Sequence, residues 1–491
     1  MDCEFQHYIS LRCLAVSSVI KGRGNSALFL KKIMISFEEA KALHERGDIG
    51  GAIQAYDALL NSNFGNYEVL FYYGTALFQQ GKTGLAATVL KQVIESKPNM
   101  QSAYQNLGNC FKMEQKKQEA EDVYRMGLKL GDDAELYAAL GGLFINRHQP
   151  LKALENYTKA IELDPRSDLI RFNMGLAYLE LGEWDKGLEY YELGFKAGNR
   201  SDRQYKNLPK WDGTPGQTVI LWGEQGLGDE FMFGSCIPDA IKQCKKVIFD
   251  CHPRLLDTFK RSFPEVECYG TRKNYYLEWF DKCDADAHAS ITTACHFYRK
   301  KNEDFPGAPF IKADPVAVAK HRQGVKKPRV GISWAGGSKH TNSDLRTIPL
   351  EKWLPIFEQD CDFYSLQYTL NAAKEVCELD QNHGIALHHY PDLVETYNYD
   401  KTINFMASMD LIITVCTTLH QAAGALGLPV WTMVPSMPAW RYGLSGTTSP
   451  WYKSARMFRQ KDGDTWGPVV RQVSEELNKL TQGKTLKLVN S

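Results

Sequence analysis

An α-solenoid followed by an α/β region of two doubly wound halves is the fold this sequence predicts, and three observations predict it. Small residues recur at Ala40, Gly74, Gly108, Gly141 and Gly175, in steps of 34, 34, 33 and 34 residues, which is an internal repeat. After Gly198 the period stops. Beyond it, short apolar runs alternate with glycine turns and helical segments, the pattern of parallel sheets. A chain of 491 residues holds two to four domains. Its 43% hydrophobic and 24% charged content excludes a disordered or collagen-like chain. Lys+Arg and Asp+Glu both total 58, so the broad basic field that non-specific nucleic-acid binding needs is absent. No apolar run is long enough to predict a transmembrane helix. The 12 cysteines form no C-x-x-C pair and no Cys/His cluster at zinc spacing. Free thiols in a reducing, cytoplasmic setting are therefore expected, with neither disulfides nor structural zinc.

Residues 1–33 read as a leader with scattered cations, or as sequence ahead of a true start at Met34. The repeats follow over residues 34–200. A second small series, Ala52, Ala86, Ala120, Ala153 and Gly187, trails the first by 12 residues, and four positions on stand Tyr56, Leu90, Tyr124, Tyr157 and Tyr191. These spacings predict two packed helices per unit, close where the residues are small, with the aromatic filling the space between successive units. Gly47, Gly81 and Gly182 mark the turn between helices, and Pro98 and Pro165 close the second helix. Residues 36–200 carry 18 basic and 23 acidic side chains, which disfavours a nucleic-acid partner. Such an array either binds a peptide or protein in its groove or only supports a neighbouring domain.

Residues 201–216, with Pro209, Trp211 and Pro215, read as a junction. Thr218 to Trp222 is then a strand, Gly223 to Asp229 a glycine turn, and Phe231 to Cys244 a helix. Further strands are expected at Val247–Asp250, Arg329–Trp334, Phe363–Gln367, Leu411–Val415 and Val430–Val434, with a helix at Leu350–Phe357. The region divides near Asp304 to Pro328, giving Rossmann-like halves over 217–325 and 326–491. Ligands of such sheets sit at the carboxyl ends of the strands.

The glycine turn reads G-x-x-G-x-G through Gly226 and Gly228, which is neither the dinucleotide nor the Walker A pattern. Asp250, 22 residues after Gly228, imitates in part the ribose-binding acid of an NAD site. Asp229, at a helix start, is either a base facing a cleft or a helix cap. In the second half Gly336-Gly337, Lys339, His340 and Arg346 follow the strand Arg329–Trp334, a cationic loop suited to an anion. Thr417, Thr418 and His420 open a helix directly after a buried strand, as either a diphosphate-binding turn or a cap with a satisfied histidine.

The repeats resemble tetratricopeptide repeats. Gly226-Leu-Gly-Asp229, Arg346-Thr-Ile-Pro349, Ser365-Leu-Gln367, the Asp410 to Pro429 stretch, Trp440-Arg441, Ser449-Pro-Trp-Tyr452 and Phe458-Arg-Gln460 resemble the C-terminal region of tetratricopeptide-repeat proteins similar to heptosyltransferases, and more remotely to O-linked N-acetylglucosamine transferases. The resemblance spans about residues 36–470. It implies a GT-B fold of two Rossmann-like domains, the acceptor side first and the nucleotide-sugar donor side second, working without a metal or other cofactor. It also implies Asp229 as catalytic base and a donor site on Lys339, Arg346, Gln367, Thr417, Thr418 and His420. Asn106 and Asn173 match two groove asparagines of the transferases, whereas Tyr73 and Ala139 do not. Cys416 stands where the family has an aspartate, and His420 lies one residue early.

Overall fold

The computed structural model describes residues 35–482 apart from 63–65, 204, 206, 207, 275, 338–342, 395 and 396. The leader and Lys339 lie outside the described residues. The chain forms two compact units, one running through Leu130 and the other from Gly131 onward.

Unit one holds three helix pairs: α1 (Phe37–Glu45) with α2 (Ile49–Ser62), α3 (Tyr67–Gln79) with α4 (Thr83–Ser96), and α5 (Gln101–Met113) with α6 (Lys117–Leu128). Unit two opens with two more, α7 (Ala134–Ile145) with α8 (Pro150–Leu163) and α9 (Asp168–Leu181) with α10 (Trp184–Glu192). Each expected turn residue sits in the left-handed region, Gly47, Gly81 and Gly182 at φ +83°, +82° and +75°. Gln115 and His148 occupy the same place in the third and fourth pairs at +60° and +50°, so the turn repeats where the glycine does not. Pro98 and Pro165 act as expected. The residues before them, Lys97 and Asp164, leave helical geometry at ψ 75° and 81° and end α4 and α8.

The aromatic position packs inside its own pair as well as toward the next one. A β-carbon added to Gly108 or Gly141 would collide with the ring of Tyr124 or Tyr157 of the same pair, and one added to Gly74 would meet Leu90 at 3.0 Å. The ring fills the seam within a pair, because sixteen residues is the separation that returns the chain to the facing turn of its own partner helix, and at Tyr56 it also reaches the next pair, 6.3 Å between centroids from Tyr72.

The rest of unit two contains two parallel sheets. Strands β1 (Thr218–Trp222), β2 (Lys246–Asp250), β3 (Glu267–Tyr269) and β4 (Ala287–Ser290) lie in the order β3-β2-β1-β4. Strands β5 (Arg329–Ser333), β6 (Asp362–Ser365), β7 (Leu387–His389), β8 (Leu411–Val415), β9 (Val430–Val434) and β10 (Ala455–Arg459) lie in the order β10-β9-β8-β5-β6-β7. The second sheet is wound outward in both directions from β5 and β8, the order of a doubly wound sheet, and the first is a four-stranded version. Strands β1, β5, β8 and β9 are buried along their whole length, as strands covered on both faces must be.

Two expected helices are broken. Phe231–Cys244 is replaced by Leu227–Gly234 and Ile237–Gln243, since Pro238 cannot donate the bond that would join them. Leu350–Phe357 becomes a 3-10 turn to Trp353 and a short α-helix from Leu354, with Pro355 in its first turn. Nor do residues 201–216 form an exposed connector: Tyr205 and Trp211 are buried, and the Trp211 amide donates to the His288 carbonyl. One hydrophobic core holds Leu179, Trp184 and Tyr191 of the fifth helix pair together with Phe231 and Phe233 of the first sheet region and Leu419, Trp440 and Trp451 of the second. Among the described residues no helix is long and apolar enough to cross a membrane.

Candidate functional site

The site is built where the carboxyl ends of the two sheets meet. After β1 the chain turns through Gly223 to Gly226 into the helix Leu227–Gly234. Gly223 leaves room for the Glu230 carboxylate, which a β-carbon would strike. Glu230 is fully buried, accepts from the His252 amide at 2.9 Å and pairs with Arg272 Nε at 2.6 Å. Burial pushes its carboxyl up to about 7, against the pull of Arg272. Glu224 is also buried, its two oxygens accepting from Nε and Nη2 of Arg200. The turn is thus anchored from beneath by two buried ion pairs.

Asp229 stands in the first turn of that helix. Its Oδ2 accepts from the Gly226 amide at 3.0 Å, closing the helix start. Its Oδ1 accepts from Arg441 Nη2 at 2.7 Å, across a sequence separation of 212 residues. Both readings of Asp229 therefore have a physical counterpart: it caps, and it faces the opposite half of the cleft with 16% of its side chain exposed. At Gly228 this helix lies against the helix Thr418–Leu426, where a β-carbon would stand in ordinary contact with Thr418, 3.4 Å away.

In the second sheet the winding reverses between β5 and β8, and the loops after these strands touch. A β-carbon on Gly336 would strike the Thr417 methyl. Thr417 caps its helix, accepting from the Leu419 amide at 3.2 Å, and its Oγ1 lies 3.2 Å from the Thr414 hydroxyl. Thr418 follows as the first helical residue. Arg346 donates from Nε to the Gly336 carbonyl at 3.1 Å. Arg346, Arg459 and Arg441 all act on the buried Cys416 thiol, yet burial keeps it at about 12 and neutral. Three guanidinium groups therefore converge on the end of β8, where a helix N-terminus also points.

Two candidate residues are placed elsewhere than a donor site requires. Gln367 is wholly buried: its Oε1 accepts from the Ser333 hydroxyl and the Trp334 and Ala335 amides, each at 3.0 Å, and its Nε2 donates to the Ala335 carbonyl at 2.7 Å. It shapes the β5 loop instead of facing a ligand. His420 points inward, its Nδ1 2.7 Å from Thr432 Oγ1, and burial lowers it to about 3, so it is neutral and offers no charge to a diphosphate. Asp250 serves neither a ribose nor a cleft: it binds Tyr205 and Thr271 and pairs with Arg203. In the first unit Asn106 donates to Thr75 Oγ1 at 2.9 Å.

Sequence reasoning missed Arg441 as a site residue, although the Trp440-Arg441 pair was a visible signal. A cavity of about 870 Å³ lies away from these groups, over the first sheet, lined among others by Lys246, Glu267, Tyr269, Trp279 and Cys283. Among the described residues no cluster of three His, Cys, Asp or Glu side chains is arranged to hold a metal ion.

Comparison with known proteins bears mainly on the helix pairs. Residues 152–182 match the TPR repeat family model, and residues 45–127 match the model of anaphase-promoting complex, cyclosome, subunit 3. The helix pairs are tetratricopeptide repeats. Protein FlbA of Caulobacter vibrioides is 23% identical over 503 residues, covering 89% of this chain and 83% of that protein. Protein O-mannosyl-transferase TMTC3 of Mus musculus is 33% identical over 108 residues, 20% of this chain and 12% of that protein. Of solved structures, MamA is 27% identical, covering 34% of this chain and 97% of its own with a TM-score of 0.29.

Proposed function

We propose that the protein is a metal-independent GT-B glycosyltransferase that moves a sugar from a nucleotide-sugar donor to an acceptor hydroxyl, with repeats of the first unit binding an acceptor peptide or a protein partner. The observation that carries this reading is the juxtaposition of Asp229 and Arg441 beside the β5/β8 switch point, where Gly336, Thr417 and Arg346 meet. Transfer needs a proton acceptor for the attacking hydroxyl and positive charge for the departing diphosphate. Asp229 supplies the first. Arg346, Arg441 and the helix N-terminus at Thr417 and Thr418 supply the second. An acceptor hydroxyl entering beside Asp229 displaces Arg441 from Oδ1, which leaves that guanidinium for the donor phosphates. The name of the matched mannosyltransferase is consistent with sugar transfer, but the match spans 12% of that protein and adds no site residue.

A second reading, a non-catalytic scaffold keeping the fold, is favoured by one observation: both Asp229 oxygens are already engaged. The substitution Asp229→Asn separates the two. Asparagine still accepts from the Gly226 amide but takes no proton, so transfer should fall at least about 10²-fold while donor binding is retained. Near-normal turnover in the variant removes Asp229 as the base. A wild-type chain that binds a nucleotide sugar and transfers nothing favours the scaffold.

A further inference from the structure

We propose that the fifth helix pair is a wall of this cleft, and that Tyr191 is a positioning residue for Asp229. The inference rests on the transferase reading only for its effect on turnover. Tyr191 touches both sides of the Asp229–Arg441 pair. Its hydroxyl accepts from Gln225 Nε2 at 2.6 Å, one residue before the Gly226 cap of the Asp229 helix. Its ring meets Trp440, the neighbour of Arg441, at 6.1 Å between centroids, and Trp184 of the same pair meets Trp440 at 6.4 Å.

Gln225 explains why the contact is needed. It sits at φ +59°, left-handed geometry that glycine would take at lower cost. A glycine has no arm, whereas the glutamine side-chain amide reaches Tyr191 while the Gln225 backbone carbonyl accepts from Arg272 Nη2 at 2.8 Å. Strain of this kind persists only where its surroundings hold it. Arg200 completes the frame: it donates to the Tyr191 carbonyl at 2.9 Å, grips Glu224, and lies 4.4 Å from the Tyr191 ring. The turn carrying Asp229 is thus fixed by the fifth helix pair, whose Trp184 and Tyr191 pack against the α/β region.

The test is backbone amide exchange across residues 224–229 of the full chain. Tyr191→Phe keeps the ring on Trp440 and removes only the hydroxyl; it and Gln225→Leu should each speed exchange there about 3- to 10-fold. The double variant should exchange no faster than either single one, because one contact is lost in all three. Gln225→Glu, which accepts from the tyrosine hydroxyl, should restore protection. Tyr178→Ala, whose ring packs on Tyr190 instead, should loosen the pair without affecting 224–229. Unchanged exchange in both single variants, or additive effects in the double one, overturns the proposal. With UDP-, GDP- or ADP-linked sugar as probe, Tyr191→Phe should hold donor affinity within about 2-fold while turnover falls about 10-fold. Normal turnover with a loosened turn overturns the positioning role. If no such donor binds the wild type, the transferase reading fails, and the exchange experiment still decides whether Tyr191 holds the turn.

Discussion

One repeat position has different partners in different pairs. In α2 the Tyr56 hydroxyl lies 3.4 Å from His44, and in α6 Tyr124 donates to Asn109 at 2.7 Å, both inside their own pair. In α10 the equivalent Tyr191 leaves the repeats and binds the turn before Asp229. Small residues facing a ring are what build a helix pair, and this code says nothing about the hydroxyl. In the fifth pair Gly175 faces the Tyr190–Tyr191 backbone and the Tyr190 β-carbon, and the Tyr191 side chain acquires a task outside the repeats. A second difference follows it: the fifth pair is joined to its neighbour by buried charge, Arg200 on Glu224.

The largest effect should come from that ion pair. Arg200→Met leaves Glu224 buried without its partner, and urea unfolding should show a loss of about 3–5 kcal/mol, mostly regained in a double variant with Glu224→Leu. A loss confined to a few tenths would mean that the fifth pair merely rests on the sheet. The repeat code itself is probed by Gly141→Ala. Its new β-carbon would stand 2.5 Å from the Tyr157 ring, so crowding should outweigh alanine's better helix propensity, with a net loss of about 1–2 kcal/mol that Tyr157→Leu relieves. Stabilisation by the single substitution would contradict the seam.

A subtler difference concerns pH. Glu230, raised by burial from 4.5 to about 7, binds its proton more tightly folded than unfolded. Its contribution to stability is complete below about pH 4.5 and is lost as pH rises toward 7. Buried His252 and His288, both lowered to about 4, act in the opposite sense over an overlapping range. The informative quantity is thus the wild-type stability minus that of Glu230→Gln, which should decline between pH 4.5 and 7. A flat difference would mean that Arg272 keeps Glu230 ionised throughout.

How much of this was legible in the sequence follows from the range of each interaction. The 34-residue period located all five pairs, and three strands, Thr218–Trp222, Leu411–Val415 and Val430–Val434, fall at their expected limits, because an apolar strand buried on both faces is a local signal. Strands β3 and β7 have only three residues each, and β4 reads Ala-His-Ala-Ser without a β-branched residue, so nothing local announced them. Asp229 was visible from its glycine turn. Arg441, 212 residues away, and Tyr191, already accounted for as a repeat aromatic, could be joined to it only by the fold. His420 and Gln367 show the converse, since a motif gives a residue's position in the chain but not the side to which its side chain turns.

The central claim is that the β5/β8 switch point holds the donor diphosphate, and calorimetry of the full chain against UDP-, GDP- and ADP-linked sugars tests it most directly. One nucleotide class should bind the wild type, and Arg346→Ala should weaken that binding by about 1.5–3 kcal/mol, the range of a hydrogen bond to a charged group. Equal affinity in a folded Arg346→Ala variant, or no binding of any of the three, would contradict it.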